Sequence, residues 1–268
     1  MTRRARLDAE LVRRGMARSR EHAAALVAAG RVSVRGLAAV KPATQVQSGE
    51  AIRVAASPGE EYVSRGGHKL AGALDVFAPQ GLLVSGRRCL DAGASTGGFT
   101  DVLLRRGARH VTCVDVGYGQ LAWSLRTDGR VEVRDRTNVR ALEQEPIDPP
   151  AQLVVADLSF ISLRLVLAAL LRCSTEDADL VLMVKPQFEV GRERLGSGGV
   201  VREPALREAA VGEVARAAYD DHALGVRGVT ASPLPGPMGN VEYFLWLARG
   251  APPLDPAQLH AAVEEGPA

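Results

Sequence analysis

The chain has 268 residues, 46% of them hydrophobic, which suffices for a domain of ordinary size together with a small one. Its net charge of +2 is unevenly placed, because residues 1–60 hold 11 Lys and Arg against 5 Asp and Glu, whereas the remainder holds 22 against 26. The apolar run at residues 165–171 is too short to span a bilayer, and no apolar segment follows the first arginines as in a secretory signal. These features argue against a membrane-spanning or secreted protein.

The three cysteines, Cys89, Cys113 and Cys173, lie outside any CxxC pair or His/Cys cluster. We expect them to be buried thiols in a reducing cytoplasm, and we expect no metal site. The basic first segment of such a protein is expected to meet a polyanion.

Residues 1–59 are predicted to form a small α+β unit. Helical patterns cover residues 5–13 and 19–29, with Ser19 as an N-cap, and short strands are expected at 32–34 and 52–54. Arginines on helices beside a β-turn suit a phosphate backbone, and a solvated basic helix face is the alternative. The candidate polyanion-binding residues of this unit are Arg4, Arg6, Arg18 and Arg20.

A linker at 60–64 is followed by a larger domain at 65–250, in which strands and helices alternate. Strands are predicted near 88–91, 110–115, 130–133, 152–156, 179–184, 226–230 and 241–248. Helices are predicted near 68–77, 97–106, 118–126, 162–172 and 203–222. This alternation predicts an α/β fold with a mostly parallel sheet covered on both faces. We expect the last strand to run antiparallel at or near the sheet edge, and residues 251–268 to be a flexible tail.

The most informative segment is the run at residues 89–100. An apolar strand ends in Asp91, and a turn of small residues with Gly93, Gly97 and Gly98 leads into a helix. A nucleotide sits over such a turn in open α/β sheets, and glycine lets the backbone approach it. The glycines lack the dinucleotide-binding spacing, which argues against a nicotinamide-dependent dehydrogenase. An acid at this position would repel a pyrophosphate and suit a cation, such as the ammonium group of S-adenosylmethionine.

Two further acids follow the next two strands. Asp115 lies about 20 residues beyond the turn, where an acid accepts hydrogen bonds from ribose hydroxyls, and Asp135 is placed to reach an adenine amine. The alternative is that these acids only cap helices or face solvent. The candidate cofactor-binding residues are Asp91, Gly93, Ala94, Ser95, Thr96, Gly97, Gly98, Phe99, Asp115, Asp135 and Asp157.

Four ionisable residues are expected on the cofactor side of the sheet. Asp157 and Lys185 follow neighbouring strands, Glu242 opens the last strand, and Lys69 lies near the start of the domain's first helix. Methyl transfer to a hydroxyl requires removal of its proton, and a lysine can be that base if burial or another cation favours its neutral form. Ordinary surface ion pairs are the alternative, and Lys69 beside His68 would equally suit an RNA phosphate.

The residues after the fourth strand exclude other methylation chemistries. Residues 157–160 read Asp-Leu-Ser-Phe, which is neither the motif of amino-group DNA methylases nor a site with a cysteine nucleophile. Glycine- and proline-rich segments at 191–199 and 232–240 are expected to be mobile loops that fold over a substrate.

The segments at 91–99, 157–162, 184–189 and 239–243 together resemble the TlyA family of bacterial rRNA 2′-O-ribose methyltransferases, historically labelled hemolysins. The resemblance implies a Rossmann-like class I S-adenosylmethionine methyltransferase fold of the FtsJ type, with a small N-terminal RNA-binding domain of the ribosomal protein S-four type. It also implies a Lys-Asp-Lys-Glu catalytic tetrad, with Lys185 as the usual base. The tetrad residues in this chain are Lys69, Asp157, Lys185 and Glu242.

The resemblance further implies methylation of cytidine 2′-hydroxyls in 16S and 23S rRNA within 30S and 50S subunits, with an effect on capreomycin and viomycin sensitivity. Arg65 and His68 are expected to contact this RNA together with the N-terminal arginines; DNA is not an expected partner. An RNA-binding assembly factor without turnover is the alternative. The family's old label also suggests a membrane-active cytolysin, but the sequence has no convincing segment for stable membrane insertion.

Overall fold

A computed structural model describes residues 4–17, 19–47, 49–54 and 62–266. The chain divides into two compact units, residues 1–61 and 62–268. The division falls inside the linker expected at 60–64. Arg18, one of the predicted polyanion-binding residues, lies outside the described residues.

The first unit combines short helices and strands around one apolar core. Its elements are β1 (Arg4–Arg6), α1 (Leu7–Arg13), α2 (Arg20–Ala28), β2 (Val32–Val34), β3 (Leu37–Ala38), β4 (Gln45–Gln47) and β5 (Ile52–Val54). β1 pairs with β4, and β2 pairs with both β3 and β5, all antiparallel. The Ser19 hydroxyl accepts a hydrogen bond from the His22 amide at 3.1 Å, which confirms the predicted N-cap of α2. Both helices bury leucines, Leu7, Leu11 and Leu26, in the core.

The second unit is a seven-stranded sheet with helices on both faces. Its strands are β6 (Arg88–Ala92), β7 (His110–Val114), β8 (Val131–Arg134), β9 (Ala151–Ala156), β10 (Ser174–Val184), β11 (Leu224–Ala231) and β12 (Tyr243–Arg249). Its helices are α3 (Gly66–Phe77), α4 (Gly98–Arg105), α5 (Trp123–Arg126), α6 (Leu167–Arg172), α7 (Pro186–Glu189), α8 (Pro204–His222) and α9 (Pro256–Glu264). All seven predicted strands are present, and each predicted helix coincides with an observed one, although those expected at 118–126 and 162–172 are shorter, at Trp123–Arg126 and Leu167–Arg172. No helix within the described ranges combines the length and apolar character needed to cross a bilayer.

The strand order is β11-β12-β10-β9-β6-β7-β8. Strands β6 to β10 pair in parallel, whereas β12 pairs antiparallel with both β10 and β11. The predicted antiparallel last strand is thus confirmed, and it lies one position inside the edge because β11 pairs on its outer side. After β6 the chain adds β7 and then β8 on one side of that strand. It then returns to place β9 on the other side of β6. The carboxyl ends of β6 and β9 therefore form the topological switch point, where ligands bind in open α/β sheets.

Apolar side chains fill both faces of the sheet. Leu103, Phe244 and Trp246 lie in the layer that includes α3 and α4, and Leu182 and Val214 lie in the layer under α6 and α8. The three cysteines are free and buried, as predicted.

The prediction that residues 251–268 form a flexible tail is wrong for residues 256–264. They form α9, which begins after Asp255, whose carboxylate accepts a hydrogen bond from the Ala257 amide at 2.9 Å. Leu259, Ala262 and Val263 are buried. Their spacing of three and four residues places them on one helical face, a pattern that the polar composition of the segment obscures.

Candidate active site

The glycine-rich turn lies at the switch point. Gly93 follows β6 with φ of +87°, and its amide donates to the Val114 carbonyl at 2.8 Å. A Cβ atom at Gly93 would lie 2.6 Å from the carbonyl oxygen of Asp157. Glycine is therefore required both by the left-handed conformation and by the close approach of the segment that follows β9.

The same turn packs against the start of α3. Gly97 has φ of +97°, and Gly98 is the first residue of α4. A Cβ atom at Gly98 would lie 2.7 Å from the amide nitrogen of Gly67, and one at Gly66 would lie 4.0 Å from Asp157 Oδ2. The beginning of α3, which carries Lys69, thus lies beside both the glycine turn and Asp157.

Asp91 is fully buried beneath the turn. Its Oδ2 accepts a hydrogen bond from the Thr100 hydroxyl at 2.6 Å, whereas its buried Oδ1 accepts none. Burial raises the pKa of Asp91 to about 7; the Thr100 hydrogen bond opposes that rise, and the charges of Asp157 and Asp115 add to it. One carboxylate oxygen therefore anchors the first turn of α4, and the other has no partner. Helix capping, the alternative role for this acid, explains only the first of these two oxygens.

Asp115 and Asp135 follow β7 and β8 at the same edge of the sheet. Asp115 accepts hydrogen bonds from the amides of Ser95 at 2.8 Å and Gly117 at 2.7 Å, and thereby holds Ser95 at a φ of +48°. Asp135 Oδ2 accepts from the Gly119 amide at 3.2 Å and pairs with Arg126 at 3.0 Å. Both acids already organise the rim of the turn, and their contacts to a cofactor remain a prediction.

Lys185 and Asp157 form an ion pair at the ends of neighbouring strands. Leu182 of β10 pairs with Ala156 of β9, which confirms the predicted adjacency. Lys185 Nζ lies 2.5 Å from Asp157 Oδ1 and donates a hydrogen bond to Ser159 Oγ at 2.9 Å. Lys185 is thus held by an ion pair with Asp157 and by a hydrogen bond to Ser159.

Lys69 and Glu242 form a second, more deeply buried pair. Lys69 Nζ lies 2.5 Å from Glu242 Oε2, and the two residues are 6% and 1% exposed. A Cβ atom at Gly236 would lie 2.7 Å from Glu242 Oε1, so the loop at 232–240 passes directly against the carboxylate. Arg65, a predicted RNA contact, donates to the Pro235 carbonyl of this loop at 3.0 Å. His68, the other predicted contact in this unit, is exposed and packs edge-on against Tyr62.

Several residues at this edge were not singled out from the sequence. Asn240 Oδ1 accepts from the Val201 amide at 2.9 Å, and its Nδ2 donates to the Gly199 carbonyl at 3.0 Å, which anchors the end of the glycine-rich segment 191–199. Phe160 is 91% exposed, with φ of +64°, and its ring packs 5.2 Å from that of Phe188. Their proximity in sequence to Glu242, Asp157 and Lys185, two or three positions away, is the one feature of the sequence that could have predicted their place at this edge.

Two of the predicted polyanion-binding arginines of the first unit, Arg6 and Arg20, share one carboxylate. Arg6 donates twice to Asp8, at 2.8 and 3.1 Å, and Arg20 donates to the same group at 3.0 Å. The Arg6 hydrogen bonds and those of Arg20 hold the pKa of the buried Asp8 carboxyl well below its usual range, against the effect of burial. Arg4 lies on β1 with its side chain exposed. Arg6 and Arg20 are thus brought together, with part of their charge neutralised by Asp8.

Comparison with known proteins agrees with both units. The FtsJ-like methyltransferase family model matches residues 62–249, and the S4 domain model matches residues 5–52. The chain is 59% identical over 275 residues to the 16S/23S rRNA (cytidine-2′-O)-methyltransferase TlyA of Mycobacterium tuberculosis, with 100% of both chains covered. It is 36% identical over 242 residues to a protein of Brachyspira hyodysenteriae named Hemolysin A, covering 89% of this chain and 98% of that one.

The solved structures agree as well. A protein of Streptococcus thermophilus, provisionally named a hemolysin, has a TM-score of 0.73 and 37% identity, covering 99% of this chain and 96% of that one. The FtsJ-like match spans the sheet from before α3 to the end of β12, and so contains the glycine turn and both lysine–carboxylate pairs. The chain therefore belongs to the FtsJ-like methyltransferase family, as a TlyA-type member with an N-terminal S4 domain.

Proposed function

We propose that the protein transfers a methyl group from S-adenosylmethionine to the 2′-hydroxyl of cytidine in 16S and 23S rRNA, within 30S and 50S ribosomal subunits, in the cytoplasm. The observation that carries the proposal is that Lys185 Nζ contacts Asp157 and Ser159, and that the backbone of Asp157 packs against Gly93 of the glycine turn. The substrate follows from the relative in Mycobacterium tuberculosis and from the S4 domain.

The residues around the turn fit S-adenosylmethionine. Asp91 Oδ1 is a buried acceptor without a donor, and a buried acceptor of this kind is normally satisfied, which an ammonium group of the cofactor would do. Asp115 lies partly exposed at the end of β7, where an acid suits ribose hydroxyls. When bound there, the cofactor supplies an electrophilic methyl group.

Lys185, after passing its own ammonium proton to solvent, is proposed as the base that accepts the proton of the 2′-hydroxyl. The chain contains only three lysines, Lys41, Lys69 and Lys185, among 33 basic residues, and two of the three belong to the tetrad. Because a guanidinium group cannot lose its proton in a protein, an arginine cannot perform this step. Apart from Lys41, the chain thus has lysine only at the two positions where the proposed tetrad has an amine.

The other members of the tetrad hold charge and orientation. Asp157 stabilises the ammonium group that Lys185 becomes when it accepts the proton, and Ser159 orients the amine. Glu242 fixes Lys69 at the start of α3, where its ammonium group can bind the ribose. Phe160 offers an exposed ring on this edge, which suits stacking with an unpaired base turned out of its helix. Arg4, Arg6, Arg20, Arg65 and His68 are proposed to contact the surrounding RNA.

The test is transfer of a tritiated methyl group to 30S and 50S subunits that lack the modification, followed by nucleoside analysis. We expect 2′-O-methylcytidine with the wild type and with Lys41→Arg, a matched control at an exposed lysine, and none with Lys185→Ala or Lys185→Arg. Turnover by Lys185→Arg would remove the role of base. No incorporation by a wild type that still binds the cofactor would favour the RNA-binding assembly factor. Loss of the modification in cells is expected to change sensitivity to capreomycin.

A further inference from the structure

Glu189 connects the segments that follow β9 and β10. It is the last residue of α7, four positions after Lys185, and its side chain is 1% exposed. Glu189 Oε2 accepts a hydrogen bond from the Ser162 hydroxyl at 2.5 Å, and Oε1 accepts from the Leu163 amide at 2.8 Å. Both oxygens are therefore used by the segment that begins at Asp157.

Arg164 adds a third connection. Its Nε lies 3.6 Å from Glu189 Oε2, and its Nη1 lies 3.4 Å from Glu213 Oε2 on α8. Burial raises the pKa of Glu189, and the hydrogen bonds from Ser162 and Leu163 and the charge of Arg164 oppose the rise. A buried, paired carboxylate contributes little net stability relative to apolar packing, so specifying one geometry is a better explanation for its presence.

The contacts between the two segments follow the same order along both. Ser159 meets Lys185, Phe160 meets Phe188, and Ser162 with Leu163 meets Glu189. Phe160, which makes the middle contact, has φ of +64°. An aromatic residue keeps this conformation only where its surroundings impose it. The Glu189 contacts lie two and three residues beyond this strained position and so close the turn that begins at Asp157.

We propose that Glu189 is a positioning residue for methyl transfer: its carboxylate holds residues 157–163 in the turn that keeps Asp157 against Lys185. The inference rests on the catalytic role proposed for that pair. Without the two hydrogen bonds, the strained turn at Phe160 relaxes, and Asp157 and Ser159 lose their positions relative to Lys185. A displacement of about 1 Å at reacting groups costs on the order of 100-fold in rate.

The test compares Glu189→Ala, Glu189→Gln and Ser162→Ala in the methyl-transfer assay, with cofactor affinity measured by calorimetry. We expect Glu189→Ala to lower kcat about 10- to 100-fold while Kd for S-adenosylmethionine and KM for the subunits change less than about threefold. Glu189→Gln should restore much of the rate, because its amide keeps one acceptor. The double variant with Ser162→Ala should be no slower than Glu189→Ala alone, since both act through one contact.

Asp179→Asn is the matched control. Asp179 is also a buried carboxylate on β10, and it accepts hydrogen bonds from Trp246 at 2.7 Å and Arg87 at 2.5 Å, away from the tetrad. This variant should lose stability and keep kcat. The positioning role is overturned if Glu189→Ala keeps full kcat. It is also overturned if kcat and cofactor affinity fall together while KM rises, because that pattern indicates general damage to the site. If Glu189→Ala does not fold, Ser162→Ala alone carries the test, with kcat reduced at unchanged KM as the expected result.

Lys185→Ala, measured in parallel, separates this inference from the proposed function. A Lys185→Ala protein that turns over shows that the base is wrongly assigned. An inactive Lys185→Ala protein beside a fully active Glu189→Ala protein overturns the positioning role alone.

Discussion

Lys69 Nζ lies 2.5 Å from Glu242 Oε2, although the two residues are 173 positions apart in the chain. The contact joins the first helix of the methyltransferase unit to the residue before its last strand. Since both side chains are buried, neither charge is compensated by solvent, and each depends on the other.

Removing one member of this pair is expected to destabilise the protein more than removing both. Lys69→Met or Glu242→Leu alone leaves a buried charge without its partner, at a cost of about 3–5 kcal/mol. The double variant Lys69→Met with Glu242→Leu should be more stable than the worse single variant, and all three should lack turnover. Chemical denaturation measures the differences. Asp75→Asn is the control, since its pair with Arg106 is exposed and should change stability by less than about 1 kcal/mol.

Gly93→Ala is expected to lose both stability and cofactor affinity. A Cβ atom there combines a φ of +87° with an approach of 2.6 Å to the Asp157 carbonyl, so the turn must move away from the end of β9. Gly86→Ala isolates the cost of the backbone conformation, because Gly86 has φ of +76° and no atom within 4 Å of the new methyl group. We expect a loss of about 1 kcal/mol for Gly86→Ala and several for Gly93→Ala. Equal losses would show that the close approach is not important.

Asp91 should make the stability of the cofactor-free protein depend on pH. Its folded pKa of about 7 exceeds the unfolded value of 3.8, so the folded state binds more protons between these values. The stabilisation of the folded state by proton binding to Asp91 is fully present below pH 3.8 and is lost as pH rises through 7. Relative to Asp91→Asn, the free energy of unfolding of the wild type should fall by about 2–3 kcal/mol between about pH 5 and pH 8. Parallel curves for the two proteins would contradict this expectation.

Neutralising the arginines of the first unit should weaken binding to rRNA and flatten its salt dependence. Replacing Arg6 and Arg20 alone would leave the buried Asp8 carboxylate unpaired, so the informative variant combines Arg6→Gln and Arg20→Gln with Asp8→Asn. Arg4→Gln needs no such compensation. The slope of log K against log salt should decrease by about one for each RNA phosphate that the variant no longer neutralises. Arg216→Gln, at an exposed position on α8, should leave the slope unchanged.

Much of the site was predictable because it depends on sheet topology. Parallel strands place their carboxyl ends at one edge, so acids and lysines that follow apolar runs must meet there, as Asp157 and Lys185 do. The partner of each residue was not predictable in the same way. The pairing of Lys69 with Glu242 depends on the approach of α3 to β12, which no local pattern encodes.

The missed elements were short or polar. Helix α7 has four residues, fewer than two turns, so it gives no periodic signal, and no local pattern predicts that Glu189 at its end is buried. Helix α9 has a narrow apolar face in a polar segment. The sharing of Asp8 between Arg6 and Arg20 depends on contacts between a strand and a different helix, so the net charge of the segment overstates the charge available to RNA.

The low exposure of Lys69 and Lys185 has a consequence for amine chemistry. Lys41 is the one lysine whose side chain is exposed, so acylating reagents should modify it before the other two lysines, and modification of Lys185 should report the opening of the catalytic edge. Protection of Lys185 by a bound ligand is then a readout that needs no turnover. Amine-directed cross-linking to a ribosomal subunit should, for the same reason, locate the protein through the S4 domain.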